Sequence, residues 1–180
     1  MDENKTKLKR QITDAVGNVQ YTFIAHWNIV NRLRKKYQVI KIIQIVLTAL
    51  STGGFLVSVL AGIPQLSWIG GLTSAVALGI NLYMLNFNLP EEIKQHTDAA
   101  NELWEVREKY KSLLVDFDVI DESEVRNRRD SLMMVVSGIN KEYPGTDEKS
   151  FKKAQADIGN YKFADGEAAK VLHIDDEKKG

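Results

Sequence analysis

The chain has 180 residues with 24 basic and 24 acidic side chains, so its formal net charge at pH 7 is zero. This balance excludes a global positive field for nucleic acid or anionic lipid. The absence of cysteine excludes disulfides, thiolate metal sites and thiol nucleophiles. The charge is unevenly distributed, because no Asp, Glu, Lys, Arg or His lies between Lys41 and Glu91. A soluble domain spreads its charges, so this uncharged block indicates a segment in a different solvent.

Residues 1–38 are predicted to form one long helix at the N-terminus. Apolar residues recur at three- and four-residue steps from Ile12 to Leu33, which is the helical period. The first long apolar run starts near Val39, with no small-residue cleavage site at the usual distance from the start. We therefore expect no signal peptide, and we expect the apolar segments to remain in the mature protein.

The uncharged block, residues 39–88, is predicted to be a transmembrane helical hairpin. Its two apolar spans, about 39–60 and 66–87, are separated by the turn signal Gly62-Ile63-Pro64-Gln65. Each span is roughly 33 Å long as a helix at about 1.5 Å per residue, enough to cross a hydrocarbon core of roughly 30 Å. A core helix of a soluble protein normally carries a polar stripe, and neither span has a wide one.

Basic residues precede the first span, and no acidic residue lies between Asp14 and Glu91. Because positively charged flanks stay in the cytoplasm, we expect both termini in the cytoplasm and the turn on the outer side. The residues predicted to set this topology are Arg32, Arg34, Lys35, Lys36 and Lys41.

Each span also carries small residues four apart, a spacing that allows close contact between helices in lipid. One stripe could close the hairpin on itself and the other could contact neighbouring subunits, although Gly and Ala are common in membrane helices generally. The predicted packing residues are Gly54, Ser58 and Gly62 in the first span and Gly71, Ala75 and Gly79 in the second.

Few polar residues lie within the spans, and such residues usually face protein or water. Gln44, Thr48 and Asn81 are the candidates to line a pore. Gln44 and Asn81 could equally make a contact between helices, and a hydroxyl can bond the backbone of its own helix at little cost.

Residues 89–163 are predicted to be a cytoplasmic helical region. One helix starts at Leu89-Pro90, a second opens near Asp121 and ends at Tyr143-Pro144, and a third covers 147–163. Residues 164–180 are predicted to be a flexible charged tail. The fold class is therefore an all-α membrane protein, in which a two-span hairpin is joined to a cytoplasmic bundle of N- and C-terminal helices.

The sequence contains no recognisable catalytic constellation. His26, His96 and His173 are scattered, without the spacing of paired metal ligands, and no phosphate-binding loop or nucleophile motif occurs. His26, beside Trp27, is best interpreted as a packing residue. We expect no enzyme activity, no metal and no cofactor.

Basic residues in the C-terminal region form candidate sites for an anionic ligand. Repeated around an oligomer axis, three arginines per subunit could form a phosphate-binding ring. The alternative is a solvated surface on which nearby acids pair with them, namely Asp121, Glu122, Glu124 and Asp130. The candidates are Arg126, Arg128, Arg129, Lys152 and Lys153.

The order of these segments resembles a known family over roughly residues 5–163. The resemblance rests on Ala25-His26-Trp27, the run from Asn31 to Tyr37, the run from Leu103 to Asp116, Arg128-Arg129-Asp130, and a Tyr-Pro-Gly-Thr turn before the last helix. It is to the SMODS- and SLOG-associating two-transmembrane effector (SLATT) family.

That resemblance implies a pore-forming effector in the inner membrane of bacteria, acting in abortive infection against phage. It also implies gating by a nucleotide or oligonucleotide signal from an associated nucleotidyltransferase, sensed by the helical bundle or by a partner protein. A two-span subunit cannot enclose a water path alone, so a pore requires a homo-oligomer. The alternatives are a non-conducting membrane anchor or scaffold with a helical protein-interaction module, and, third, a soluble helical interaction protein.

Overall fold

The computed structural model describes residues 3–62 and 65–160, and this part of the chain is helical without any strand. The all-helical prediction is confirmed for these residues. The predicted turn residues Ile63 and Pro64, His173 and the predicted tail 164–180 lie outside them. The helices are α1 (Glu3–Ala61), α2 (Gln65–Asn86), α3 (Leu89–Val115), α4 (Glu122–Glu142) and α5 (Glu148–Asn160).

Helix α1 runs through both the predicted N-terminal helix and the predicted first span. The boundary placed between residues 38 and 39 falls inside α1, because no proline or turn residue accompanies the change from charged to apolar side chains there. The helix ends at Ala61, and the following Gly62 has a φ of 63°, in the left-handed region that glycine adopts without steric cost.

The chain divides into two compact units. Unit 1 contains residues 1–30 and 94–180, and unit 2 contains Asn31–Ile93. Both α1 and α3 therefore contribute residues to each unit.

Unit 1 has a continuous apolar core between α1, α3 and α4. Helix α1 contributes residues at four- and three-residue steps, which place them on one face. Burying each large apolar side chain contributes on the order of 1.5–3 kcal/mol. Helix α5 also buries Ala154 and Ile158. The fully packed members are Leu8, Ile12, Val16 and Val19 of α1, Ala99, Leu103, Val106, Tyr110 and Leu113 of α3, Phe117, and Val125 and Ile139 of α4.

Both ends of α4 and the start of α5 in unit 1 match local sequence signals, and residues 161–163 of the predicted last helix lie outside the described residues. Asp121 precedes α4 in extended conformation, and α4 stops at Tyr143, whose backbone N–H donates to Ile139. The hydroxyl of Tyr143 donates to Glu102 at 2.5 Å, which fixes this end of α4 on α3. Before α5, the Asp147 carboxylate accepts a hydrogen bond of 2.8 Å from the Ser150 backbone N–H, as a helix-capping side chain does.

Unit 2 contains an antiparallel hairpin of α1 and α2. The two helices run antiparallel, because residues later in α1 contact residues earlier in α2, as the pairs Gln44–Asn81 and Ser51–Ser74 show. The most shielded positions alternate at steps of three and four, the pattern of a narrow helix–helix seam. They are Tyr37, Ile40, Gln44, Leu47, Ser51, Gly54 and Ser58 on α1, and Gly70, Thr73, Ala77, Ile80, Tyr83 and Met84 on α2.

Candidate membrane-spanning site

The hairpin of unit 2 exposes its apolar side chains instead of burying them. Leu60 is 84% exposed and Trp68 is 83% exposed. Within the described residues, two helical stretches are long and apolar enough to cross a membrane, and 0% and 6% of their most apolar windows are buried. Water-soluble monomers rarely expose continuous apolar surface on this scale, so the hairpin suits a hydrocarbon solvent.

Two pairs of polar side chains join the helices within this apolar hairpin. The Gln44 side-chain amide donates to Asn81 Oδ1. Ser51 and Ser74 share a hydroxyl–hydroxyl bond, and the Ser51 hydroxyl also donates to the Gly70 carbonyl at 3.3 Å. A polar group left without a hydrogen-bond partner in hydrocarbon costs on the order of several kcal/mol. These pairs therefore fix the register of the hairpin.

The hydroxyls of Thr48 and Thr73 bond their own helices. Thr48 Oγ1 donates to the Gln44 carbonyl at 2.8 Å, and Thr73 Oγ1 donates to the Ile69 carbonyl at 2.9 Å. Of the three pore-lining candidates, the structure thus brings Gln44 and Asn81 together, and Thr48 bonds the backbone one turn before it. That any of the three lines a lumen stays a prediction, because a lumen requires further subunits.

The predicted small-residue stripes occupy different positions in the hairpin. On α1, Gly54 and Ser58 lie in the helix–helix seam. On α2, Gly71, Ala75 and Gly79 are exposed, because the seam uses Gly70 and Ala77 instead. Each residue along a helix is rotated by about 100° from the one before it. Gly71 therefore lies on a different face of α2 from Gly70, which is in the seam. Apart from its own stretch of helix, a Cβ added at Gly54, Gly71 or Gly79 would meet no atom within 4 Å.

One of the topology residues connects the two helices near the end of the hairpin. The Lys36 ammonium donates to the Tyr83 hydroxyl at 2.7 Å and lies 5.4 Å from the centroid of the same ring. Phe87 stacks on Tyr83 with ring centroids 4.6 Å apart. Lys41 lies 5.6 Å from the ring centroid of Tyr37. The sequence does not predict these aromatic partners, although the antiparallel register could have suggested the contact between Lys36 and Tyr83.

In unit 1, the structure joins two histidines that the sequence leaves seventy positions apart. His26 of α1 and His96 of α3 are 4% and 3% exposed, and their Nδ1 atoms are 2.8 Å apart. One Nδ1 must donate and the other accept, so the facing nitrogens hold one proton between them. Burial, and then the nearby His96, lower the pKa of His26 from 6.5 to about 4. His26 is thus a buried hydrogen-bonding residue as well as a packing residue.

Asn28, two residues further along α1, connects this helix to α5 in unit 1. Its side-chain amide donates to the Ser150 carbonyl at 3.4 Å and to the Asp157 carboxylate at 3.3 Å. Tyr21 and Phe151 also contact, with ring centroids 5.9 Å apart. The segment around the histidine pair therefore packs against both α3 and α5.

Most of the basic residues predicted to bind an anion are paired with acids. Arg126 contacts Glu122 at 2.5 Å, and Arg128 contacts Glu124 at 2.6 Å. Arg129 contacts Asp130 at 2.7 Å and also donates to Gln11 at 2.6 Å. Similarly, Lys152 contacts Glu148 at 2.5 Å, and Lys153 is exposed. This arrangement matches the solvated surface more closely than an open phosphate-binding ring.

Across residues 3–62 and 65–160, no three His, Asp or Glu side chains come together as a metal site. The arrangement of unit 2 is a hydrophobic hairpin with internal polar pairs, and that of unit 1 is a buried apolar core with paired charges on its surface. Together these features suit a protein that places two helices in a membrane.

A family described as SMODS and SLOG-associating 2TM effector domain family 4 matches residues 8–165. No curated protein and no solved structure matches the chain. The family match covers most of the chain, including the whole hairpin and all five helices apart from the first residues of α1.

Proposed function

The chain belongs to the SMODS and SLOG-associating 2TM effector domain family 4, and we propose that it is a pore-forming inner-membrane effector of a bacterial antiphage system. Family membership and the two apolar helices make it a membrane effector domain. The pore, the antiphage role and the control by a nucleotide signal are the steps that we add.

The observation that carries the proposal is the exposed apolar hairpin of unit 2. Its outward surface needs lipid or other hairpins as neighbours, because water would be an unfavourable solvent for it. Two helices cannot surround a water path, so conduction requires several copies arranged about an axis. The exposed stripe Gly71, Ala75 and Gly79 is a face of α2 that the seam with α1 leaves available for such neighbours.

The charge distribution supports an orientation with unit 1 in the cytoplasm. The cations of α1 just before the apolar stretch would remain inside by the positive-inside rule, and two crossings return the chain to the same side. Residues 1–38 and 89–163 would then be cytoplasmic, with the hairpin at 39–88 in the membrane.

The controlling signal would be a nucleotide or oligonucleotide made by an associated nucleotidyltransferase, as the family's description as SMODS- and SLOG-associating suggests. Unit 1, or a partner protein that binds unit 1, would receive it. The arginines on α4 remain candidates for direct contact, although a ligand would have to compete with Glu122 and Glu124 for them. We propose that the chain acts without catalysing a reaction of its own.

One observation favours a second function, that of a non-conducting membrane anchor for a helical interaction module. Gln44 and Asn81 satisfy each other inside the hairpin, and Thr48 bonds its own backbone. These groups therefore need no water-filled lumen in order to be stable.

Conductance of the purified chain in liposomes tests the two functions against each other. We expect an ionic current, carried by an oligomer, that changes when the reaction product of the associated nucleotidyltransferase is added. The enzyme's unreacted nucleotide substrate is the matched control for that addition. A monomeric protein that never conducts in either condition would exclude the pore and leave the anchor.

The variant Asn81→Leu connects the current to the hairpin. If Asn81 faces the lumen, the substitution changes conductance, and the double variant Gln44→Leu/Asn81→Leu changes it too. If the amide has only a structural role, the double variant restores the wild-type current, because removing both partners leaves no unpaired group. Asn86→Leu is the matched control, since the Asn86 amide bonds the Leu82 carbonyl of its own helix.

A further inference from the structure

We propose that three lysines of α1, Lys35, Lys36 and Lys41, form a collar that binds the headgroups of anionic phospholipids. This inference requires the hairpin to lie in a membrane and does not require it to conduct. It assigns a ligand class to residues whose predicted role is only to orient the chain.

The three lysines lie on different sides of one helix. At about 100° per residue, Lys36 is about 100° from Lys35, and Lys41 is about 240° from Lys35, so the three directions are spread nearly evenly. Along the axis they are within roughly 9 Å of one another at about 1.5 Å per residue. This spread does not suit one small anion held by convergent donors. It suits lipid headgroups that surround the helix at one depth.

The depth of the collar matches the edge of the apolar hairpin. All three lysines are exposed, and the exposed apolar residues Ile42, Ile43 and Ile45 follow directly after Lys41. Each headgroup region adds roughly 5–7 Å to the hydrocarbon core, and the long lysine side chains can reach into it across the rest of the roughly 9 Å axial spread. If the exposed apolar surface lies in hydrocarbon, the lysines lie among the headgroups.

The contacts of these lysines position their charge and do not neutralise it. Lys36 donates one hydrogen bond to the neutral Tyr83 hydroxyl, and an ammonium has two further donors. Lys41 lies over the ring of Tyr37, and Lys36 over that of Tyr83, both of which are neutral. The paired arginines of α4 differ, because each contacts a carboxylate there.

The stretch of α1 that carries the collar has no carboxylate, and the acids of unit 2 are Glu91 and Glu92 at the start of α3. No Asp or Glu lies between Asp14 and Glu91, so the stretch from Lys35 to Lys41 and the whole of α2 are free of acids. Clusters of Lys and Arg beside a membrane helix attract anionic lipids. The phosphate of a lipid headgroup is therefore the anion that complements these lysines at the membrane surface.

Native mass spectrometry of the full chain, in detergent with equal amounts of phosphatidylglycerol and phosphatidylcholine, tests the proposal. We expect phosphatidylglycerol adducts to dominate, and we expect the preference to fall by about fivefold for each lysine changed to glutamine, as expected from the attraction per charge. The test variants are Lys36→Gln and Lys35→Gln/Lys41→Gln. The matched control is Lys152→Gln/Lys153→Gln on α5, which removes two exposed charges elsewhere and should leave the preference unchanged.

Three outcomes would overturn the collar. One is equal binding of the two lipids by the unaltered chain. Another is loss of preference in the α5 control as large as that in Lys35→Gln/Lys41→Gln. The third is displacement of phosphatidylglycerol by inorganic phosphate beyond the effect of chloride at the same ionic strength, which would indicate a small-anion site. None of these results depends on conductance, so failure of the collar is distinguishable from failure of the pore.

Discussion

Units 1 and 2 treat polar and apolar side chains in opposite ways. Unit 1 buries Ile12, Leu103 and Tyr110 completely and keeps ion pairs such as Arg126–Glu122 on its surface. Unit 2 exposes Leu60 and Leu72 and keeps its polar contacts in the seam between two helices. One continuous helix, α1, supplies residues to both arrangements. The same secondary structure is thus stabilised by burial against water in one unit and by internal polar pairing in the other.

The largest expected effect tests whether burial of apolar side chains stabilises unit 1 but not unit 2. We expect Leu103→Ala to lower the free energy of unfolding of unit 1 by about 2–5 kcal/mol, because the side chain is fully buried and its removal leaves a cavity. The matched substitution Leu72→Ala removes a side chain that is exposed in unit 2 and should change stability far less. Denaturant unfolding of the detergent-solubilised variants measures both. Equal losses would mean that the hairpin is packed like a water-soluble core.

Acid should destabilise unit 1 through its histidine pair. His26 has a pKa of about 4 in the folded chain against 6.5 when unperturbed, so the unfolded chain binds the extra proton between these values. Neutral, buried His26 therefore contributes about 3 kcal/mol to the free energy of unfolding above pH 6.5, and this contribution is lost as the pH falls towards 4. Unfolding measured between pH 7 and 5, before most carboxylates titrate, should show this slope.

The variant His26→Leu/His96→Leu is the control for that slope. It replaces both partners with apolar side chains and should make stability nearly independent of pH between 7 and 5. A slope unchanged in the variant would assign the acid sensitivity to other groups.

The sequence predicts those parts of the structure that depend on local pattern. The helical content, the two apolar helices, both ends of α4 and the start of α5 follow from periodicity, the charge-free block and the residues Asp121, Pro144 and Asp147. The pairing of His26 with His96 has no local signal, since it is set by the packing of α1 on α3. The stripes of small residues indicate where helices could approach, but the register of the hairpin decides which stripe lies in the seam.

A smaller effect is expected in unit 2 when the polar pair Gln44–Asn81 is broken. Asn81→Leu should lower hairpin stability by about 1–2 kcal/mol, because it leaves the Gln44 amide without a partner in an apolar setting. Gln44→Leu/Asn81→Leu should recover most of that loss. Steric-trap or denaturant unfolding in bicelles measures the change. If the double variant is no more stable than Asn81→Leu, the amides contribute something other than pairing with each other.

The smallest expected effect lies on the surface of unit 1. Arg126→Gln and Arg128→Gln each remove one exposed ion pair to a carboxylate one turn earlier on α4, and such pairs contribute about 0–1 kcal/mol. We therefore expect a change in unfolding free energy below about 1 kcal/mol for either variant. Because stability is nearly unaffected, these variants also report cleanly on ligand binding. A nucleotide response that disappears in both variants, with stability retained, would make these arginines an anion site despite their acidic partners; a retained response would leave them as a solvated surface.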